Sequence, residues 1–162
     1  MPIHKADKDL TSPSSYRPIS LTSTIGKLME RLVTNRLNWF LEKNLLLNNN
    51  QSGFRQGRST QDNIIRLQDQ INKFLRNEGY TVGIFLDFEK AYDMLWKPGL
   101  LVKLKRLGIN GHTLNYIKTF LTDRTFQVKV GNSLSVKSIL ETGIAQGSIL
   151  APLLFLVISQ TV

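Results

Sequence analysis

The segment Tyr80-Thr81-Val82-Gly83-Ile84-Phe85-Leu86 constrains this chain most: β-branched and aromatic residues, nearly all apolar, ending abruptly at Asp87. A run this apolar is unfavourable with either face in water, so it predicts a central strand covered on both sides. The cover has to come from helices. Behind Thr22 or Ser23, apolar positions at Ile25, Leu28, Met29, Leu32, Val33 and Leu37, continuing to Phe40 and Leu41, form a helical stripe. Lys27, Glu30, Arg31 and Arg36 are then expected on the opposite, solvated side. A second helix is predicted from Ser59 or Thr60 through Ile64, Leu67, Ile71, Phe74 and Leu75, closing near Asn77 or Gly79.

After Asp87 the pattern continues in short pieces. A helix opens near Lys97-Pro98, with proline in its first turn, and stops before Gly108; another runs from about Gly111 to Leu121. Phe126, Val128 and Val130 alternate with polar residues ahead of Gly131-Asn132, a hairpin signal, with a partner strand near Val136–Leu140. From about Ser148 the chain is apolar on nearly every side and reaches Val162 with no cap or turn signal. It reads as a buried helix interrupted by the end of the chain, and part of its apolar surface is expected to stay exposed. The class implied is α+β, within one domain of 162 residues.

Composition removes several chemistries. There is no cysteine, which excludes a disulfide scaffold, an iron–sulfur protein, a Cys-ligated zinc site and a thiol nucleophile. The two histidines, His4 and His112, stand far apart, so a histidine metal site or a Ser-His-Asp triad is poorly supplied. Carboxylates, hydroxyls, amides and cations remain. The net charge of +9 suits a polyanionic partner, because each phosphate neutralised releases a counterion. The opening Met1-Pro2-Ile3-His4-Lys5-Ala6-Asp7 lacks the apolar segment of a signal peptide, and Ile149–Ile158 is half the ~20 residues a membrane span needs. An intracellular protein of nucleus or cytoplasm, not secreted and with no membrane partner, is therefore expected.

Three places could carry chemistry. Gln51-Ser52-Gly53-Phe54-Arg55-Gln56-Gly57-Arg58-Ser59-Thr60 is a glycine-containing loop feeding a helix N-terminus, where free N–H groups and two arginines favour an anion. A surface turn with solvated arginines is the simpler reading of it alone. Asp87 ends a buried strand, a place where an acid can hold Mg²⁺, or where it merely caps the next turn. Gly143-Ile144-Ala145-Gln146-Gly147-Ser148 runs into the last helix; glutamine between small residues can reach a ligand while Gly147 lets backbone approach. An ordinary capped helix start is the plainer alternative.

Taken together and in order, these blocks resemble the reverse transcriptase domain of non-LTR (LINE-type) retrotransposons. The resemblance runs from Pro2-Ile3-His4-Lys5 through Tyr16-Arg17-Pro18-Ile19-Ser20-Leu21, Gly26-Lys27-Leu28-Met29-Glu30-Arg31 and Gln51-Ser52-Gly53-Phe54-Arg55 with Gly57-Arg58-Ser59-Thr60. It continues through Phe85-Leu86-Asp87-Phe88-Glu89-Lys90-Ala91-Tyr92-Asp93, followed by Trp96, to Gln146-Gly147-Ser148-Ile149-Leu150-Ala151-Pro152-Leu153-Leu154-Phe155. Two positions depart from the family pattern: Ala145 where proline is usual and Ala151 where serine is usual.

The resemblance implies a polymerase right hand, with helical fingers over about 1–79 and part of an antiparallel palm over about 80–162, and no thumb. It implies templated addition of dNTPs to a DNA primer on an RNA template by two-metal phosphoryl transfer with Mg²⁺. Asp87 matches the first catalytic aspartate and a metal ligand, with the Phe88 carbonyl as a further ligand. Arg55 and Arg58 match cations that clamp the triphosphate, Tyr92 the aromatic gate against a ribose 2′-OH, and Gln146 and Gly147 the pair at the nascent base pair. Arg17, Gly147, Ser148 and Pro152 are implied at the nucleic acid, and Asp93 is implied to be structural. The family's second acidic motif, an Asp-Asp pair, does not occur, and Glu141 is the last acid. The alternative is therefore a basic remnant that at most binds nucleic acid, without catalysis.

Overall fold

The computed structural model describes residues 1–76 and 79–160. It combines helices with short antiparallel ladders, the α+β class. The helices are α1 (Thr24–Lys43), α2 (Thr60–Arg76), α3 (Lys97–Arg106), α4 (Gly111–Leu121) and α5 (Ala151–Ser159). β1 (Pro2–His4) pairs antiparallel with β2 (Tyr16–Pro18), with Ile3 opposite Arg17. β3 (Thr125–Phe126) pairs with β6 (Ser138–Ile139), and β4 (Lys129–Val130) with β5 (Ser133–Leu134), around a two-residue Gly131-Asn132 turn. The register slips by one residue between the two ladders, a bulge at Ser135–Lys137. Ser135 bridges it: its N–H donates to Val128 O at 2.9 Å, and its hydroxyl accepts from Val128 N–H at 2.9 Å.

Local chemistry accounts for the helix boundaries. Ser59 donates its N–H to Asp62 Oδ2 at 2.6 Å, so the acid at the third position satisfies the N-terminus of α2. Pro98 sits in the first turn of α3. Past its end, Gly108 at φ +85° turns the chain and Ile109 N–H returns to Leu104 O at 3.1 Å.

α5 is the centre of the core. α3 packs against both α4 and α5. Leu37 and Leu41 of α1, Leu100 and Leu104 of α3, and Ile117 and Leu121 of α4 form one buried cluster with Leu153, Leu154, Leu156 and Val157 of α5. Each fully buried aliphatic side chain of this kind contributes about 1.5–3 kcal/mol. Residues on both sides of position 79 share that cluster, so the fingers-type and palm-type stretches are not separately packed. At the C-terminal end of α5, Lys103 Nζ donates to Ile158 O at 3.2 Å and to Gln160 O. Burial holds the Lys103 ammonium below its ordinary pKa.

Four expectations are corrected. Tyr80–Leu86 forms no strand: Tyr80 is 96% and Leu86 90% exposed, and no described strand pairs with the segment. An apolar run has sheet propensity, but a strand exists only where a neighbour takes its N–H and C=O groups. α5 is covered on most of its surface by α3, α4 and the C-terminal half of α1, and only the face bearing Pro152, Phe155 and Ile158 is left half-buried. The apolar stripe of α1 is divided: Val33, Leu37, Phe40 and Leu41 join the core, while Ile25, Leu28, Met29 and Leu32 face outward. The buried stripe instead reaches Glu30, which is 3% exposed and not on the solvated side. α2 buries none of its residues fully; the expected end of that helix at Asn77 lies outside the described residues.

One joint ties α1 to the loop before α2. Arg55 donates Nε to Glu42 Oε1 at 2.8 Å and Nη2 to Glu42 Oε2 at 2.6 Å, a bidentate pair, and Nη1 to Asn48 O at 2.7 Å. The Arg55 hydrogen bond, and then its charge and that of Arg58, hold the Glu42 carboxyl below its ordinary 4.5 against the opposing effect of burial.

Two predictions follow from this packing. Gly57 and Gly143 share φ +73°, but a Cβ at Gly57 meets nothing within 4 Å whereas at Gly143 it meets Asp93 O at 2.5 Å and Tyr92 O at 2.7 Å. Gly57→Ala is expected to cost only the left-handed backbone term, about 1–2 kcal/mol, and Gly143→Ala clearly more, read by urea unfolding of the two variants. The second concerns acid. A depressed carboxyl pKa contributes stability above the unfolded value of 4.5, which is lost as pH falls through the lower folded value. Glu42→Gln should flatten that acid limb in a stability–pH series, modestly, since the Glu42 side chain is 35% exposed.

Candidate active site

Two segments far apart in sequence are stitched together beside α5. After Asp87 the chain turns at Lys90, φ +51°, whose carbonyl accepts N–H bonds from Asp93 at 2.9 Å and Met94 at 3.0 Å. Ile144 N–H then donates to Tyr92 O at 2.9 Å and Gly143 N–H to Leu95 O at 3.1 Å. Gly143 is required there, because a side chain would collide with the Tyr92 and Asp93 carbonyls. Gln146 Nε2 donates to Asp93 Oδ1 at 3.1 Å. The rings of Phe88 and Tyr92 both rest on Phe155 of α5, with centroids 5.8 Å and 5.7 Å away. Burial pushes the Tyr92 phenol above its ordinary pKa, so it is a neutral, half-buried ring.

The loop into α5 is held from the N-terminal part of the chain. Ser20 N–H donates to Gln146 O at 2.8 Å, and a Cβ on Gly147, φ +102°, would lie 3.2 Å from Ser20 O. Glu30 Oε2 accepts the Ser148 hydroxyl at 2.7 Å, Ile149 N–H at 2.8 Å and Leu150 N–H at 3.4 Å. Ser148 Oγ in turn accepts from Ala151 N–H at 3.2 Å. A carboxylate and a hydroxyl thus satisfy the N–H groups that open α5.

Of the residues singled out in the sequence, the structure brings Phe88, Tyr92, Gln146 and Gly147 to one end of α5. Asp87 is exposed beside Phe88, with no side-chain hydrogen bond or ion pair among the described residues. Arg55 and Arg58 are elsewhere, donating to carbonyls of the Asn48–Gln51 loop, which meets the far end of α5 where Asn48 N–H donates to Gln160 Oε1 at 3.2 Å. Arg55 is buried and satisfied by Glu42 and two carbonyls, so in this arrangement it holds the loop and offers little to a triphosphate. Arg58 is half-buried and donates to Asn49 O. Ser148, expected at the nucleic acid, is only 6% exposed and turned to Glu30; it caps a helix. Pro152 is half-buried in the first turn of α5, and Arg17 is exposed on β2.

Glu30 is the residue sequence reasoning missed. Its signal was present: it lies in helical register with Val33, Leu37 and Leu41, the face that packs, and an acid on such a face needs donors opposite it. For metal binding the donor set is short. Asp87 and the Phe88 carbonyl can contribute oxygens to one Mg²⁺, which also accepts substrate phosphates and water. Among the described residues no three His, Cys, Asp or Glu side chains stand together. No described helix is long and apolar enough to cross a membrane.

Comparison with known proteins shows the family. The reverse transcriptase (RNA-dependent DNA polymerase) family model matches residues 3–162. The chain is 42% identical over 153 residues, 94% of its length, to a Drosophila melanogaster protein called probable RNA-directed DNA polymerase from transposon BS. It is 40% identical over 159 residues, 98% of its length, to the RNA-directed DNA polymerase from mobile element jockey of the same species. A Pol polyprotein from the retrotransposable element R2 of Popillia japonica is 33% identical over 92% of the chain. The chain spans 17% of the first two relatives and 20% of the third. Both the ordered motifs and these matches place it: the chain belongs to the reverse transcriptase (RNA-dependent DNA polymerase) family, as a domain of the non-LTR retrotransposon type.

Proposed function

We propose that this chain is the nucleotide-selecting portion of an RNA-directed DNA polymerase that extends a DNA primer on an RNA template. In this reading about 1–79 serve as fingers and about 80–162 as part of the palm of a polymerase right hand. The observation that carries it is the junction of Tyr92 with the Gln146–Gly147 loop, made by the Ile144–Tyr92 and Gln146–Asp93 hydrogen bonds. A half-buried aromatic ring seated on Phe155, with its backbone tied to a loop that has glycine at 143 and 147, is suited to testing the sugar and base pair of an incoming dNTP. Asp87, exposed at the start of the same turn, is the carboxylate assigned to catalysis and to Mg²⁺. When bound, the metal supplies charge stabilisation at the phosphate; the residues here orient the nucleotide and exclude the wrong sugar. Arg58 is assigned to the triphosphate, and Arg55 joins it only if its pair with Glu42 opens. A second reading, a basic module that binds nucleic acid without catalysis, is favoured by the lack of an Asp-Asp pair in these 162 residues.

The +9 charge makes binding electrostatic in both readings. Arg17, Lys105 and Arg106 are exposed, while Arg55 and Lys103 are engaged internally. Affinity for single-stranded RNA should fall at least roughly tenfold between ~50 and ~200 mM salt in a filter-binding titration; a salt-independent affinity contradicts the assignment.

Primer extension separates the two readings. The 162-residue chain, with one carboxylate at the ion site, should give no detectable extension on RNA with dNTPs and Mg²⁺. Joined to a family-type segment bearing an Asp-Asp pair, it should extend. Asp87→Ala should then abolish extension, and Tyr92→Ala should relax rejection of rNTPs by roughly ten- to a hundredfold. A joined enzyme indifferent to Asp87→Ala supports the non-catalytic reading.

A further inference from the structure

The reaction as proposed gives no task to Glu30, yet it is a buried acid with three hydrogen bonds to a segment some 120 residues away. We propose that Glu30 is the positioning residue of the Gln146–Gly147 loop. The inference rests on the reading that this loop meets the incoming nucleotide.

The geometry is specific. All three donors converge on one oxygen, Oε2: the Ser148 hydroxyl at 2.7 Å, Ile149 N–H at 2.8 Å and Leu150 N–H at 3.4 Å. Ser148 is the residue next to Gly147, so the bond fixes the chain where the loop leaves for α5. The loop's other attachments all lie ahead of Ser148: Gly143 N–H to Leu95 O, Ile144 N–H to Tyr92 O, Ser20 N–H to Gln146 O and the close approach of Gly147 to Ser20 O. Gln146 Nε2 is fastened to Asp93. Removing Glu30 releases the loop where it enters α5, and leaves the Ile149 N–H and the Ser148 hydroxyl without an acceptor, while Leu150 N–H keeps Ser148 Oγ at 3.2 Å. The negative charge also meets the positive end of α5, so the carboxylate stabilises the helix start that the loop runs into. Glu30 makes none of these bonds to the nucleotide site directly; it acts through Ser148 and the backbone of Ile149.

The test uses the reverse transcriptase that carries this domain, with steady-state dNTP incorporation on a primed RNA template. Glu30→Leu removes the acceptor at similar volume. Glu30→Gln keeps an acceptor oxygen where Oε2 stands and removes only the charge. Gln146→Ala tests the loop reading independently. The expected result is a dNTP KM raised about tenfold in Glu30→Leu, the size of one lost bond to a charged acceptor, with most of the wild-type KM recovered in Glu30→Gln. A role in folding alone lowers the active fraction, and with it kcat, at unchanged KM; that outcome overturns the proposal. Should Glu30→Leu not fold, Ser148→Ala, which removes one donor and the relay to Ala151, must raise KM severalfold or the proposal fails. If Gln146→Ala raises KM and neither Glu30→Leu nor Ser148→Ala does, the positioning role is wrong while the loop reading stands. If Gln146→Ala leaves KM unchanged as well, the loop reading fails and takes this inference with it.

Discussion

A short helix buried over most of its surface carries unpaired N–H groups at its start and unpaired carbonyls at its end, and burying them unsatisfied opposes folding. α5 meets this constraint with charged side chains from other helices. Glu30 of α1, with Ser148, takes the N–H groups, and Lys103 of α3 takes the last carbonyls. Each charge has the sign that the helix dipole favours. These contacts fix the axial position of α5 as well as its identity as core, because the apolar cluster alone would tolerate some sliding. Phe155 then presents a fixed surface for Phe88 and Tyr92, and the loop ahead of α5 has one path back to Asp93.

Much of this was legible from local signals. The helices at Thr60 and Lys97 begin where capping and proline chemistry put them, the helix at Gly111 begins where it is expected, and the hairpin turns at Gly131-Asn132. The ordered motifs were sufficient for the family, because motif order and spacing survive independently of how each segment packs. What failed were inferences about partners. Tyr80–Leu86 has the composition of a covered strand, but cover is a property of neighbouring chain, and no described element provides it. The stripe from Ile25 to Leu32 has the period of a packed face for the same reason, and it faces outward.

The candidate site divides along the same line. The resemblance implied that Tyr92, Gln146 and Gly147 serve one site; in the structure the loop bearing Gln146 and Gly147 is tied to the Tyr92 turn by Ile144 N–H to Tyr92 O and by the Gln146 side chain to Asp93. Pairing was not legible: an arginine on a glycine-containing loop looks available for phosphate, whereas here a glutamate thirteen residues away takes the Arg55 fork. Ser148 shows the same, since a serine ahead of a helix is as suited to capping as to binding, and here it caps. Glu30 was overlooked because an acid on a helix is ordinarily solvated. Its neighbours in register, not its own chemistry, mark it as buried.

The central claim is that α5, fixed at both ends, is the element about which the rest is organised, while Tyr80–Leu86 is not packed. Amide hydrogen exchange on the 162-residue chain tests it most directly. The account predicts that the amides of Leu154, Phe155, Leu156 and Val157 exchange only through global unfolding, while those of Val82 to Leu86 exchange at nearly the rate of an open chain. Protection of Val82–Leu86 equal to that of α5, or fast exchange at Leu154–Val157, would contradict it.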